Sequence, residues 1–240
     1  MPRFFSECCD DQYCYIDGPD AIHISKSLRM QIGEELVVCD QKGTDYHCVI
    51  ECVDSNKITL KVIKKEKNIS EPDVELTLYM ALPKSDKMEL IVQKCVELGI
   101  AKIVPIITSR CISRPDDKSM NKKIDRYQKI AYEAAKQSGR GIIPEICEKM
   151  SFKEAVKLAS KDDVSMIFYE NGGNDIKSFF KDSPKTISMF IGAEGGFDLS
   201  EINCAKDFGI LPATLGPRIL RCETAPITAT SIIMYLTGNM

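Results

Sequence analysis

The sequence predicts an α/β protein in which a small all-β module precedes a larger domain built on a mostly parallel sheet. Three observations carry that prediction. Residues 1 to about 70 read as short β-rich segments separated by turn chemistry; beyond them apolar strand-like segments alternate with helical patterns; and several of those helices carry readable start and stop signals.

In the first region, residues 36–39, 46–53 and 57–63 are β-rich and are punctuated by Gly33, by Lys42-Gly43 and by Asp54-Ser55-Asn56. A charged stretch at 66–72 ends in proline and marks a boundary, dividing the chain into 1–70 and 73–240. Beyond it the strand candidates are 74–82, 100–107, 164–169, 187–191 and 210–215, short and apolar as strands covered on both faces should be. The first helix starts at Asp86, with Glu89 three residues on as a capping box; Met88, Ile91, Val92 and Cys95 form its apolar stripe, and Gly99 stops it. A second helix over 119–138 places Ile124, Tyr127, Ala131 and Ala134 on one face, with Gly139 after it. A third repeats the box at Asp198 and Glu201 and stops at Gly209, and the last covers 224–236 on Ala229, Ile232, Ile233 and Leu236. The polar stretch 110–118 reads as a mobile loop.

With 240 residues, 44% of them hydrophobic and 28% charged, the chain can bury a real core, which excludes intrinsic disorder and collagen-like structure. No apolar run approaches the ~20 residues of a membrane span, and the opening Met1 to Phe5 leads into acidic sequence rather than a signal-peptide core, so a soluble cytoplasmic protein is expected. The 32 Lys plus Arg against 35 Asp plus Glu, a net charge of −3, argue against a nonspecific nucleic-acid coat but leave room for a locally basic site. In that compartment the eleven cysteines should be mostly free thiols, acting as buried small hydrophobes. Cys48 and Cys52 lie in a strand-like stretch that separates them by roughly 13 Å, and only His23 and His47 could add imidazole, so no metal site is expected.

Ligands of parallel sheets bind beyond the carboxyl ends of the strands, which directs attention to the loops there. Ile191-Gly192-Ala193-Glu194-Gly195-Gly196-Phe197 joins a strand to a capped helix, and its glycines allow close approach of backbone to ligand. Its spacing matches neither a dinucleotide fingerprint nor a P-loop, so neither NAD nor ATP is indicated; a tight turn is the bland reading. Leu215-Gly216-Pro217-Arg218-Ile219-Leu220-Arg221-Cys222-Glu223-Thr224-Ala225 is the second such loop, with Arg221 and Glu223 either functional or a surface ion pair. Lys84, Lys87, Ser109-Arg110 and Gln137-Ser138-Gly139-Arg140 are either solvated surface or, brought together, a cationic pocket.

These motifs, together with the stretch from His23 to Leu28-Arg29 and Glu97-Leu98-Gly99, resemble the RsmE family of 16S ribosomal RNA (uracil-N3)-methyltransferases over essentially the whole chain. One departure is Ala193, where the family usually has proline. The resemblance implies a SPOUT-class methyltransferase domain with a deep trefoil knot, preceded by a PUA-like β-barrel for RNA, working as a homodimer on the small ribosomal subunit. It implies S-adenosylmethionine as methyl donor, bound by Leu82, Ile191, Gly192, Glu194, Gly195, Gly196, Leu215, Gly216, Ile219 and Leu220.

Uracil N3 must lose its proton before it attacks, so a base and an anion-stabilising cation are sought. Arg221 is the candidate cation, Glu223 the residue orienting it, and Glu194 the competing proton acceptor. RNA contacts are expected from Arg3, Arg29, Lys84, Lys87, Arg110 and Arg140. Two other readings stay open: a SPOUT enzyme acting on another rRNA or tRNA nucleotide, and a noncatalytic RNA-binding or ribosome-assembly protein.

Overall fold

The computed structural model describes residues 1–54, 56–180 and 183–240, so Ser55 of the expected 54–56 turn lies outside them. Two compact units are present: residues 1–71 with 135–143, and residues 72–134 with 144–240.

In the first unit, β1 (Arg3–Phe5), β2 (Tyr13–Asp17), β3 (Glu35–Cys39), β4 (Thr44–Val53) and β5 (Lys57–Lys67) make a five-stranded sheet in the order β1-β3-β4-β5-β2. All its ladders are antiparallel except β1 with β3. Alternation drives one face inward: Cys14 and Ile16 of β2, Leu36 and Val38 of β3, and Ile58 and Leu60 of β5 join Phe4 in one core. The unit is not purely β. Helix α1 (Gly18–Ile22), opened by Pro19 in its first turn, runs into a π-helical turn over His23–Ser27, and Ala21 and Ile24 close the core from there. Each piece has five residues, too few for an apolar period to register. Cys9 and Cys14 form a disulfide across a bridge beside β2, an exception to the expected free thiols; the other nine cysteines are free.

The segment 135–143 is bound into this unit by buried polar groups. Arg140 donates to Glu71 at 2.7 Å, and the backbone N–H groups of Gly141 and Ile142 donate to the same carboxylate. Arg3 pairs with Asp45 and also donates to the Arg140 carbonyl, while Asn68 donates to Asp45 and to the Gly139 carbonyl.

The second unit alternates strands and helices: β6 (Glu75–Ala81), α2 (Lys87–Glu97), β7 (Lys102–Ile107), α3 (Asp117–Ser138), β8 (Glu145–Ile146), β9 (Met150–Ser151), α4 (Phe152–Ala159), β10 (Val164–Phe168), β11 (Asn174–Asp175), β12 (Thr186–Ile191), α5 (Leu199–Asp207), β13 (Leu211–Thr214) and α6 (Thr224–Leu236). The last residues of α3, 135–138, belong to the first unit. Every ladder in this sheet is parallel, in the order β11-β13-β10-β12-β6-β7-β8, with β9 also on β7. Tyr79 of β6 stacks on Phe190 of β12 with centroids 4.6 Å apart, and Phe152 of α4 packs edge-on against the same ring. Because the strands are parallel and β12 lies between β6 and β10, the carboxyl ends of β6, β12, β10 and β13 adjoin on one edge. That edge positions the site.

Three expectations change here. The box at Asp198 and Glu201 forms, but Asp86 makes no side-chain cap; its backbone, at φ −91° and ψ 10°, is not extended, and Glu89 pairs with Arg126 instead. Helix α4 escaped the periodicity reading because it has only eight residues, although Ser151 and Glu154 form a full capping box. The stretch 110–118 is no loose loop: Arg114 donates to the carbonyls of Thr108, Ser109 and Cys111, and residues 117–118 begin α3.

Candidate functional site

A cavity of about 930 Å³ opens at that edge of the second unit, between the loops that follow β10, β12 and β13. Backbone forms much of its wall, and glycine permits this. Gly196 has φ +63°, and a β-carbon there would lie 2.6 Å from a carboxylate oxygen of Glu170; one on Gly192 would lie 2.9 Å from the Gly196 Cα. At Gly192 the loop after β12 therefore folds back on itself so tightly that only hydrogen fits.

One wall is charged. Lys87 Nζ lies 2.9 Å from Glu194 Oε1, 3.4 Å from Glu223 Oε2 and 3.5 Å from Cys222 Sγ. The Lys84 backbone N–H donates to Glu194 as well, at 3.2 Å. The chain turns between these two lysines through Ser85, a residue with a side chain held at φ +55°. Such a conformation is uncommon outside glycine and persists where surrounding contacts enforce it.

The hydrogen bond to Glu194 holds the Lys87 ammonium above its ordinary range. Burial alone would raise Glu194, but the bonds from Lys87, from its own backbone N–H and from Lys84 outweigh it and hold the carboxylate low. Glu223, at the amino end of α6, is lowered by its own backbone N–H and then by Cys222 and Lys87. Burial, followed by the bond to Glu223, pushes the Cys222 thiol up to about 11. The cluster thus carries two ionised carboxylates, one shared ammonium and a protonated thiol; Lys87, Glu194 and Cys222 line the cavity, whereas Glu223 is not among its lining residues and joins the cluster through Lys87.

Of the residues expected to hold a cofactor, Ile191, Gly192, Glu194, Gly195, Gly196, Leu215, Gly216, Ile219 and Leu220 all line the cavity. Leu82 does not: it is buried, and its N–H continues the sheet by donating to the Ile106 carbonyl at 3.1 Å. Arg221 lines the cavity with its side chain 84% exposed and reaches Glu223 at 4.0 Å, so Glu223 is bound more closely by Lys87 than by the arginine it was expected to orient.

The residues expected on RNA separate by environment. Arg29 and Lys84 are exposed. Lys87 belongs to the carboxylate wall, and Arg110 is turned onto the glycine loop, donating to the Gly195 carbonyl at 3.0 Å and to Asp198 at 3.2 Å. Arg3 and Arg140 are withdrawn from that role, since both are mostly buried in ion pairs.

Sequence reasoning missed the loop after β10, whose Tyr169, Glu170 and Gly172 line the cavity; Arg218, which also lines it, was read as part of the second glycine loop without a role of its own. The signal was present: Gly172-Gly173 follows a strand, as the other glycine loops do. Among the described residues no group of three or more His, Cys, Asp or Glu side chains could hold a metal ion, and no helix is long and apolar enough to cross a membrane.

Comparison with known proteins adds three findings. Residues 70–234 match a family described as an RNA methyltransferase domain, and residues 16–63 one described as an RNA methyltransferase PUA domain. The chain is 33% identical to ribosomal RNA small subunit methyltransferase E of Bacillus subtilis (strain 168), over 99% of this chain and 97% of that protein, and 33% identical to the protein of the same name from Mesomycoplasma hyopneumoniae (strain 232), over 95% and 96%. The fold is similar to that of ribosomal RNA small subunit methyltransferase E from Neisseria gonorrhoeae, solved bound to S-adenosyl methionine, with a TM-score of 0.87, 27% identity and 98% of each chain covered.

Proposed function

Since this chain belongs to the ribosomal RNA small subunit methyltransferase E family, we propose that it transfers a methyl group from S-adenosylmethionine to N3 of a uridine in 16S ribosomal RNA. The observation that carries this reading is the glycine-lined cavity with the Lys87–Glu194 pair on one side, which Glu223 supports through Lys87. Its volume of about 930 Å³ and its backbone-rich, partly apolar lining suit a nucleoside with a short amino-acid tail.

The bound sulfonium supplies an activated methyl group, so the protein's task is placement. Gly192, Gly195 and Gly196 on one side and Leu215, Gly216, Ile219 and Leu220 on the other hold the cofactor. Arg221, which lines the cavity with its side chain 84% exposed and 4.0 Å from Glu223, is the group that meets the uracil ring and offsets the negative charge that develops when N3 loses its proton. Glu194, with its basicity depressed by Lys87, serves as a fixed negative charge better than as a proton acceptor. Uracil N3 lies on the Watson–Crick edge, so the target uridine enters unpaired or flipped.

The N-terminal domain, 1–70, takes the RNA-binding role and 73–240 the catalytic one, with Arg29 and Lys84 on the nucleic acid. We further propose a homodimer, which the family resemblance implies, and place Ile219, 85% exposed on a loop that lines the cavity, at its interface. Light scattering should give twice the chain mass, and a monomer would exclude this arrangement. A ribosomal substrate makes the cytoplasm the place of action.

The central experiment is transfer of labelled methyl from S-adenosylmethionine to purified small ribosomal subunits and to naked 16S RNA, with the site mapped by mass spectrometry. Label at N3 of one uridine is expected. Label at another position would leave a methyltransferase of different target, and no label in either substrate would refute the reading.

A further inference from the structure

Besides Glu194, the cavity is lined by a second carboxylate that the proposed reaction leaves unused. Glu170 follows β10 on a braced loop: the Tyr169 N–H donates to the Ala213 carbonyl of β13 at 3.1 Å, and Asn171 donates to the Tyr169 hydroxyl at 2.9 Å. The carboxylate rests against Gly196, where a β-carbon would stand 2.6 Å from its Oε1, so glycine at 196 is what makes room for it. Its side chain is 32% exposed, and it lines the cavity.

Among the described residues no N–H or O–H group donates a hydrogen bond to Glu170. Its ion-pair partner is Arg110, whose Nη1 stands 4.0 Å away and is itself committed to the Gly195 carbonyl. Lys87 is engaged by Glu194 and Glu223. Glu170 thus has its charge offset, while no protein donor among the described residues occupies its acceptor oxygens, which face the cavity. A carboxylate only accepts, so it asks its ligand for donors rather than for a second positive charge. Two adjacent hydroxyls present two donors side by side, which is how acidic residues read ribose in dinucleotide folds.

We propose that Glu170 is a specificity residue of this cavity, accepting hydrogen bonds from the vicinal diol of a ribose. The assignment rests on the S-adenosylmethionine reading above and extends it to a named contact. It also gives the glycine at 196 a second purpose, since any side chain there would displace the carboxylate that reads the sugar.

Binding calorimetry tests this without turnover. The wild-type protein and Glu170→Gln, checked by circular dichroism for retained fold, are titrated with S-adenosylhomocysteine, its 2′-deoxy counterpart and 5′-methylthioadenosine. The wild type should favour S-adenosylhomocysteine over the deoxy ligand by about tenfold or more, in line with a hydrogen bond to a charged acceptor. Glu170→Gln should lose most of that preference while binding the deoxy ligand as before.

Absence of a diol preference in the wild type overturns the proposal without reference to any variant, and so does a preference that survives in Glu170→Gln. Equal weakening of both homocysteine ligands with 5′-methylthioadenosine untouched would assign the carboxylate to the amino-acid ammonium instead. Failure of the wild type to bind any of the three would remove the S-adenosylmethionine reading along with the proposal.

Discussion

Replacing Lys87 by methionine removes the cation that Glu194 and Glu223 share. The Lys87 bond is the chief influence holding Glu194 low against its burial, so the Glu194 pKa should rise in the variant. An ionised Glu194 then requires a higher pH, so the acid limb of the pH–rate profile should move upward, with methyl transfer falling most on its acid side. Lys87→Arg, keeping the charge, should restore most of the rate; a variant with an unmoved acid limb would separate Lys87 from the chemistry. Cys222 gives a second test. Its thiol, pushed up to about 11, should stay protonated near neutral pH and alkylate far more slowly than exposed Cys8 and Cys52, as mass spectrometry after brief iodoacetamide labelling would read. The glycines of 192–196 and the Arg221-Cys222-Glu223 run were legible in the sequence, because close approach and loop charge leave compositional marks. The convergence of Lys87 on two carboxylates 107 and 136 positions away in sequence was not, since no local pattern encodes it.

Among the elements, α5 owes its position to a residue that acts twice. Glu201 Oε2 accepts the Asp198 N–H at 2.8 Å within the capping box, while Oε1 accepts the Ser109 N–H at 2.7 Å from the loop after β7. Glu201→Ala leaves both donors without their partner and should cost about 2–3 kcal/mol, a melting-point fall of several degrees by calorimetry. Glu201→Gln, able to replace one acceptor, should lose less. The box was readable from Asp198 and Glu201 alone, but its second bond was not. The same D-x-x-E pattern at Asp86 misled, because a cap needs an extended residue and the strained turn at Ser85 denies Asp86 that backbone. Long apolar strands such as β6 and β12 were evident; β8, β9 and β11, of two residues each, carry no period at all.

At the scale of the whole molecule, a net charge of −3 says little about where RNA would bind, because cations of the same type serve opposite ends. Arg140→Ala breaks an ion pair whose arginine side chain is 4% exposed, and should cost about 3–5 kcal/mol. In the folded fraction it should leave the salt dependence of RNA binding unchanged, whereas Arg29→Ala should leave stability intact and lower the salt slope by about one. Melting curves and filter-binding isotherms at several salt concentrations would read both effects. The sequence could not separate these arginines, since burial depends on partners, here Glu71, distant along the chain. The order of strands in the larger sheet was equally hidden, because periodicity reports which face a residue takes and never which strand lies beside which.

The membership of residues 135–143 in the first unit has a consequence for synthesis. Translation delivers the chain from its amino end, and domains generally fold as they emerge. This one cannot complete itself when residue 71 appears, because the arginine that Glu71 binds is still 69 residues away. By the time Arg140 is made, β6, α2, β7 and α3 have already been translated. A fragment ending at residue 71 should therefore unfold without a cooperative transition, and extension to residue 143 should restore one. The amino-terminal unit is the first to be translated and must wait for a later part of the chain, so its folding is timed by the synthesis of the unit that holds the cavity.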